Sequence, residues 1–190
     1  MKRILSILLI ALTLASLAAC SGKPSPSEEP ESYKTLLDNA VQLYNDGFSR
    51  EQLDKVCHPN ETEYKIAAFR EQRGSDYIEA LQNDIESFRR TYDELYGDDW
   101  KISYTVREAV EKDEAGIEQY KNYDNYYFEE YGIDTGKFQA VTFAKITVHI
   151  EGSKGSFDKD KTIQCFCIDG KWYSLYAIMI GYSLAPKNNG

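Results

Sequence analysis

Asp169-Gly170 stands between two largely apolar runs, Thr162–Ile168 and Lys171–Ile180. A two-residue Asp-Gly turn joins antiparallel strands in a single register. With these residues at the tip, Cys167 faces Trp172, Cys165 faces Ser174 and Ile163 faces Tyr176 on one side of the hairpin. Phe166 faces Tyr173 and Gln164 faces Leu175 on the other. Both sides carry large apolar groups, whereas a sheet covered on one side only alternates more cleanly. The expectation is helices over one face and a second cover over the other. A homodimer partner, using an outer face with Phe166 and Tyr173, is one candidate for that cover; a tyrosine-rich helix is another.

The preceding chain reads as helices. Tyr33–Asp46 places Leu36, Leu37, Ala40, Val41, Leu43 and Tyr44 at helical spacing, and Gly47 ends the run. Ser49-Arg50-Glu51-Gln52 has the form of a capping box opening a short helix with Leu53 and Val56. His58-Pro59 stops it, and Asn60 starts another short helix through Phe69. Beyond Gly74, the stretch Asp76–Tyr96 keeps Ile78, Leu81, Ile85, Phe88, Tyr92 and Leu95 on one stripe, with Gly97 as the stop. The period then changes to two: Trp100, Ile102, Tyr104 and Val106 alternate with polar residues, as in a half-buried strand. Asp113–Tyr131 returns to a helical pattern. Phe138–Ile150 is a strand with Ala140, Ala144, Ile146, Val148 and Ile150 on one face, followed by a turn at Gly152-Ser153-Lys154-Gly155.

The first 32 residues belong to a different class. Met1-Lys2-Arg3 is basic, Ile4–Leu17 is apolar, and Leu17-Ala18-Ala19-Cys20 closes the segment. A basic start, a short apolar stretch and small residues before a cut describe an export signal. A spanning helix needs roughly 20 apolar residues. Leu-Ala-Ala-Cys resembles the bacterial lipobox. That resemblance implies cleavage between Ala19 and Cys20, a diacylglyceryl thioether on Cys20, and palmitate-type acyl chains holding the protein to the extracytoplasmic face of the cell membrane. Two such chains anchor stably without a spanning helix. Residues 20–32 then form a flexible linker: Ser21–Ser32 holds three of the five prolines and no large apolar group to offset its ordering entropy. The expected division is a signal peptide over 1–19, the lipidated cysteine and linker over 20–32, one α+β domain over 33–182 and a disordered tail over 183–190.

Charge narrows the partners. The formal charge of −9 includes Lys2 and Arg3, so removal of residues 1–19, which contain no acid, leaves the mature chain near −11. Such a surface repels nucleic-acid phosphates and anionic headgroups. Nucleic acid is not an expected partner.

The order of helices, strand, helix and three antiparallel strands resembles the cone-shaped nuclear transport factor 2-like fold. The lipobox Leu17–Cys20, the segment Trp100-Lys101-Ile102-Ser103-Tyr104 after Tyr96-Gly97, and Ile168-Asp169-Gly170-Lys171-Trp172-Tyr173 are similar to those of a group of Gram-positive (Firmicutes-type) lipoproteins. The likeness covers roughly residues 33–182 and rests on structural motifs. It implies N-terminal helices packed on a curved antiparallel sheet and implies no particular activity, because this scaffold carries enzymes, binders and structural proteins alike.

Chemistry-bearing residues are sparse. Cys57, Cys165 and Cys167 remain beside the lipidated cysteine; the expectation is three reduced core thiols, with a bridge from Cys57 to one of the others as the alternative. Cys165 and Cys167 share a strand face about 6.6 Å apart, a poor span for a direct bridge. Cys-x-Cys with a distant His58 is a weak zinc pattern, and neither a metal nor another cofactor is expected. His58 precedes Pro59 at a helix end, and His149 points away from the apolar face of its strand. No Gly-x-Ser-x-Gly, phosphate loop or His-Glu-x-x-His occurs in the sequence. No residue is assigned a catalytic role. An enzyme resembling ketosteroid isomerase would need a buried carboxylate beside Tyr104, and the sequence does not place one. Tyr120, Tyr123, Tyr127 and Tyr131 fit one helical face, which favours packing on the sheet over a binding role and leaves Tyr126 unplaced. The leading expectation is a non-catalytic module that binds an extracytoplasmic protein, a cell-wall fragment or a small ligand. Its expected site is a cavity between the long helix and the sheet, lined by Trp100, Tyr104, Trp172 and Tyr176.

Overall fold

The computed structural model describes residues 31–186. The expected signal peptide, Ala19, Cys20 and most of the linker lie outside the described residues. The described residues belong to one compact unit that begins at Glu31.

That unit is α+β. Four helices come first: α1 (Tyr33–Asn45), α2 (Arg50–Asp54), α3 (Pro59–Arg73) and α4 (Tyr77–Tyr96). Strand β1 (Lys101–Glu111) follows, then α5 (Glu114–Tyr123), α6 (Asn125–Glu130), β2 (Phe138–Gly152), β3 (Gly155–Ile168) and β4 (Lys171–Tyr173). The strands pair antiparallel in the order β1-β2-β3-β4.

Local chemistry sets the boundaries. Ser49 Oγ accepts from Gln52 N–H, and Asp76 Oδ1 accepts from Ile78 and Glu79 N–H. His58 caps α3 instead of closing α2: its Nδ1 accepts from Asn60 N–H, and Pro59 takes the first helical position, where a missing N–H costs nothing. The helix runs on to Arg73, four residues beyond the expected end, because Gly74 supplies the left-handed closing residue (φ 64°).

Two apolar clusters flank the sheet. On one face, Leu36, Leu37, Ala40, Leu43 and Tyr44 of α1 join Leu81, Ile85, Tyr92 and Tyr96 of α4 against Ile102, Ala144, Ile146, Val148, Ile150, Ile163 and Cys165. On the other, Tyr120 of α5 and Phe128 of α6 cover Val141, Phe166, Ile168 and Tyr173. The second cover is therefore the tyrosine-rich segment. Phe166 and Tyr173 lie beneath it, which removes the outer face that a homodimer was expected to use.

Three expectations need correction. Leu95 is 42% exposed, and Tyr96 takes the inward position at the end of α4. Strand β3 begins at Gly155 rather than Thr162, since its Ser-Phe-Asp-Lys-Asp-Lys stretch pairs through the backbone with β2. The hairpin register holds for Cys167 with Trp172 and Phe166 with Tyr173. It fails beyond, so Cys165, Ile163 and Gln164 do not face Ser174, Tyr176 and Leu175. The chain leaves the sheet because Ser174 N–H donates to Val56 C=O (3.4 Å) and Ser174 Oγ accepts from Tyr176 N–H (3.1 Å), closing a local turn.

The segment after that turn is irregular backbone held by six side-chain hydrogen bonds. Ala177–Gly181 forms a 3-10 turn, and Leu184, within the stretch expected to be a disordered tail, is buried. Tyr44 OH donates to Ile178 C=O (2.7 Å), Tyr92 OH to Gly181 C=O (2.5 Å) and Tyr96 OH to Leu184 C=O (2.7 Å). From β3, Lys161 Nζ donates to Met179 and Tyr182 C=O, and Lys159 Nζ to Ser183 C=O. A side chain at Gly181 would meet the Tyr44 ring, with its Cβ only 2.5 Å from ring carbons.

Tyr92→Phe leaves a buried carbonyl without a donor and is expected to cost about 1–3 kcal/mol; chemical denaturation should show a lower midpoint at unchanged slope. Burial, with Lys159 adding repulsion, pushes the Lys161 ammonium down to about 8. The unfolded chain therefore holds more protons than the native one from about pH 8 up to the free lysine value of about 10.4. Stability should rise with pH through that window until tyrosine ionisation opposes it near pH 10, and Lys161→Met should flatten the rise in the same denaturation series.

Candidate functional site

The four residues expected to line one cavity do not come together. Trp100 is buried, donates from Nε1 to Asp93 Oδ1 (2.7 Å) and packs edge-on against Tyr92. It fills the space between α4 and the sheet rather than lining an opening there. Trp172 donates to Glu31 C=O (2.9 Å) and holds the chain where it enters α1. Tyr176 is 38% exposed, and its hydroxyl lies 3.4 Å from Asp124 Oδ1. Tyr104 alone of the four lines the concavity beside α1.

That concavity is an open groove of about 770 Å³ between α1 and β1, walled by Lys34, Asp38, Val41, Gln42 and Asn45 on the helix and by Ile102–Val106 on the strand. Tyr104 OH donates to Asp38 Oδ1 (2.8 Å) and lies 3.3 Å from Lys34 C=O. Burial and the Asp38 hydrogen bond both hold the phenol well above its ordinary pKa. Asp38 is the carboxylate that the sequence did not place. It is exposed and already bonded to the phenol, so it differs from the buried, unpaired carboxylate that an isomerase-type site requires.

Strand β1 is an edge of the sheet, and Asn45 fixes which way its backbone points. Asn45 Nδ2 donates to Ile102 C=O and Ile102 N–H donates to Asn45 Oδ1, both at 2.8 Å. The Ile102 polar groups therefore face away from β2. In an extended strand, alternate residues repeat that orientation. The N–H and C=O of Tyr104 and Val106 thus face the groove, up to the register shift between Val106 and Glu108. Nothing in the hydrophobic pattern marks Asn45, because a single amide on a helix carries no periodic signal.

The tyrosine segment departs from a single face. Asp124 interrupts it: its N–H donates to Tyr120 C=O, while its own C=O accepts from Tyr127 and Phe128 N–H. Helix α6 starts on a new phase, which turns Phe128 inward and leaves Tyr123, Tyr126 and Tyr127 exposed. Tyr120 stays buried. Beside it, a cleft of about 200 Å³ opens among Lys112, Gln119, Tyr120, Tyr123, Phe143 and Gln164. The pattern assigns Phe143 to no face, and Gln164, expected opposite Leu175 on the Phe166 face, pairs with Phe143. Four buried side-chain oxygens lack a partner among the described residues: Glu61 Oε2, Tyr120 OH, Asp124 Oδ2 and Gln164 Oε1. Burial raises the carboxyls of Glu61 and Asp124, opposed by the Lys65 ammonium and the Tyr176 hydroxyl respectively.

Two constellations have the form of catalytic groups. Thr105 Oγ1 lies 3.0 Å from His149 Nε2, and His149 Nδ1 lies 2.8 Å from Asp158 Oδ1. This is the hydrogen-bond order of an acyl-transfer triad. The three residues come from adjacent strands on a solvent-facing sheet surface. They continue a ladder in which Asp160 accepts from Thr147 and pairs with Arg107. Such cross-strand pairs account for the arrangement as sheet stabilisation. Cys57, Cys165 and Cys167 are free and buried. Burial pushes Cys57 well above its usual value and Cys165 up to about 12, so neither is a thiolate nucleophile at neutral pH.

No protein family, curated protein or solved structure matches the chain. Among the described residues, no helix is long and apolar enough to cross a membrane.

Proposed function

We propose that this chain is an extracytoplasmic lipoprotein of the nuclear transport factor 2-like fold. In this reading it is anchored to the cell membrane by a diacylglyceryl group on Cys20, and it binds a partner protein by taking an extended segment along the free edge of β1. The address rests on the Leu17–Cys20 motif behind a basic, then apolar, start. The fold assignment is supported by the order of helices, strand, helices and antiparallel strands. The binding mode rests on one observation: Tyr104 and Val106 direct unpaired backbone N–H and C=O groups into an open groove whose other wall is α1. Strand addition to an exposed edge uses main-chain hydrogen bonds for affinity and side-chain pockets for specificity. A groove open along its length suits a polypeptide better than a small substrate, which needs enclosure.

Cys20→Ser removes the thiol that receives the lipid and should move the protein from the detergent-extracted membrane fraction to the soluble one; persistence at the membrane would refute the anchor. For the binding mode, a random linear peptide library displayed against the full chain should yield binders. Val106→Pro removes one outward N–H without touching the ladder to β2, a place where an edge strand tolerates proline. It should weaken the selected peptides about tenfold, the worth of roughly one hydrogen bond, with little change in thermal midpoint. Peptides indifferent to that substitution would sink the strand-addition reading.

A further inference from the structure

The sheet face opposite the groove carries a second site of different chemistry. There β2 and β3 pair Phe143 directly with Gln164, and α5 lays the Tyr120 ring 5.7 Å from Phe143 in an edge-on arrangement. Tyr123 stands at the mouth of the resulting cleft with 79% of its surface exposed. Three aromatic rings thus border one small opening, and polar groups are set among them.

Two observations separate this cleft from a packing defect. Gln164 Oε1 and Tyr120 OH are buried with no hydrogen-bond partner among the described residues, although Tyr120 as a whole is only 2% exposed. Buried polar groups are normally satisfied, because each orphan keeps the full cost of losing water. Both residues line the same cleft. Second, the Lys112 ammonium rests 4.3 Å from the centre of the Phe143 ring and forms no salt bridge among the described residues, in a chain with a large excess of acids.

We propose that this cleft is a subsite for a single sugar ring of a glycan. A pyranose presents an apolar C–H face and a rim of hydroxyls, and the cleft presents aromatic rings with glutamine amides between them. Tyr123 supplies the stacking surface, and Phe143 forms the apolar wall beside it. Gln119 and Gln164 offer planar amides, each with donors and an acceptor, which match neighbouring hydroxyls. The terminal amide torsion of glutamine is soft, so Gln164 turns its orphan oxygen toward a ligand hydroxyl without a backbone change. Lys112 accommodates a carboxylate-bearing sugar as well as a neutral one. The volume of about 200 Å³ limits the site to one ring. The site is independent of the β1 groove and stands or falls separately.

Saturation-transfer NMR on the full chain, with N-acetylglucosamine, glucose and glucuronate as probes, tests the assignment. Transfer to ring protons is expected for at least one sugar with a Kd of about 1 mM, so a sample at about 10 mM is near saturation. Tyr123→Ala, which removes an exposed ring and leaves the core intact, should weaken binding about fivefold; Gln164→Leu should weaken it similarly. Tyr126→Ala, at an exposed tyrosine that does not line the cleft, should leave it unchanged, as should Val106→Pro in the groove. No transfer to any of the three sugars, or transfer that survives Tyr123→Ala undiminished, overturns the proposal.

Discussion

Six hydrogen bonds from side chains to the backbone of residues 178–184 hold the fold shut. Three come from tyrosine hydroxyls on α1 and α4, and three from lysine ammoniums on β3. A buried segment without ladder partners is normally prohibitive, since each unpaired carbonyl costs a hydrogen bond's worth of desolvation. Here phenols are suited to the task. Each buries a large apolar ring in the core and delivers one donor at its tip. Tyr44 and Tyr92 pack among leucines and isoleucines while their hydroxyls reach across to the C-terminal segment. The abundance of tyrosine thus has a structural use inside the protein, separate from the exposed rings of α5 and α6.

Because α1, α4 and the C-terminal segment are tied together on one face, the other face needs its own cover, and α5 with α6 provides it. That cover is inserted between β1 and β2, so it reaches its place without crossing the sheet. Two consequences follow for the surface. The cover is short and broken at Asp124, which leaves a cleft beside Tyr120 and exposes three tyrosine rings. The edge at β1 stays unpaired because α1 lies beside it rather than over it and touches its backbone through Asn45. Both candidate sites are therefore products of how the two faces are closed.

Much of this was legible in the residues. The helical stripe of α1 named all six of its buried apolar residues, and Asp169-Gly170 fixed the β3–β4 register where the strands pair. The misreadings share a cause: local patterns do not carry tertiary partners. Leu95 and Tyr96 fit the α4 stripe almost equally, and the choice fell to Tyr96 because Leu184 C=O awaits its hydroxyl. The alternating acids and lysines of Asp158–Lys161 fell outside the expected strand, yet Lys159 and Lys161 cap carbonyls of the C-terminal segment. Residues 174–180 have strand-like composition, but Ser174 bonds to Val56 and diverts them. For the sites, Tyr104 was expected in a cavity beneath the long helix and lines the groove between α1 and β1 instead. Asn45, Gln164 and Lys112 were invisible, since a single amide or ammonium has no periodicity to betray it.

An edge strand of eleven residues is a liability, and this one is guarded at both ends. Asn45 occupies the polar groups of Ile102, while the register shift after Val106 breaks the alignment that a second strand would need. Lys101, Arg107, Glu108 and Glu111 add charge along the remainder. Between these two guards Tyr104 and Val106 are open, which allows about four main-chain hydrogen bonds to an incoming strand. At about 0.5–1.5 kcal/mol net each, they supply roughly 2–6 kcal/mol. Association itself costs about 4–15 kcal/mol in lost freedom. Backbone pairing alone is therefore too weak to hold a partner, or to seed uncontrolled edge-to-edge growth. The balance must come from side chains of the partner seated against Lys34, Asp38 and Gln42 on the helical wall. Selectivity is then a consequence of the guard: only a segment that satisfies both the strand and the helix gains enough to stay.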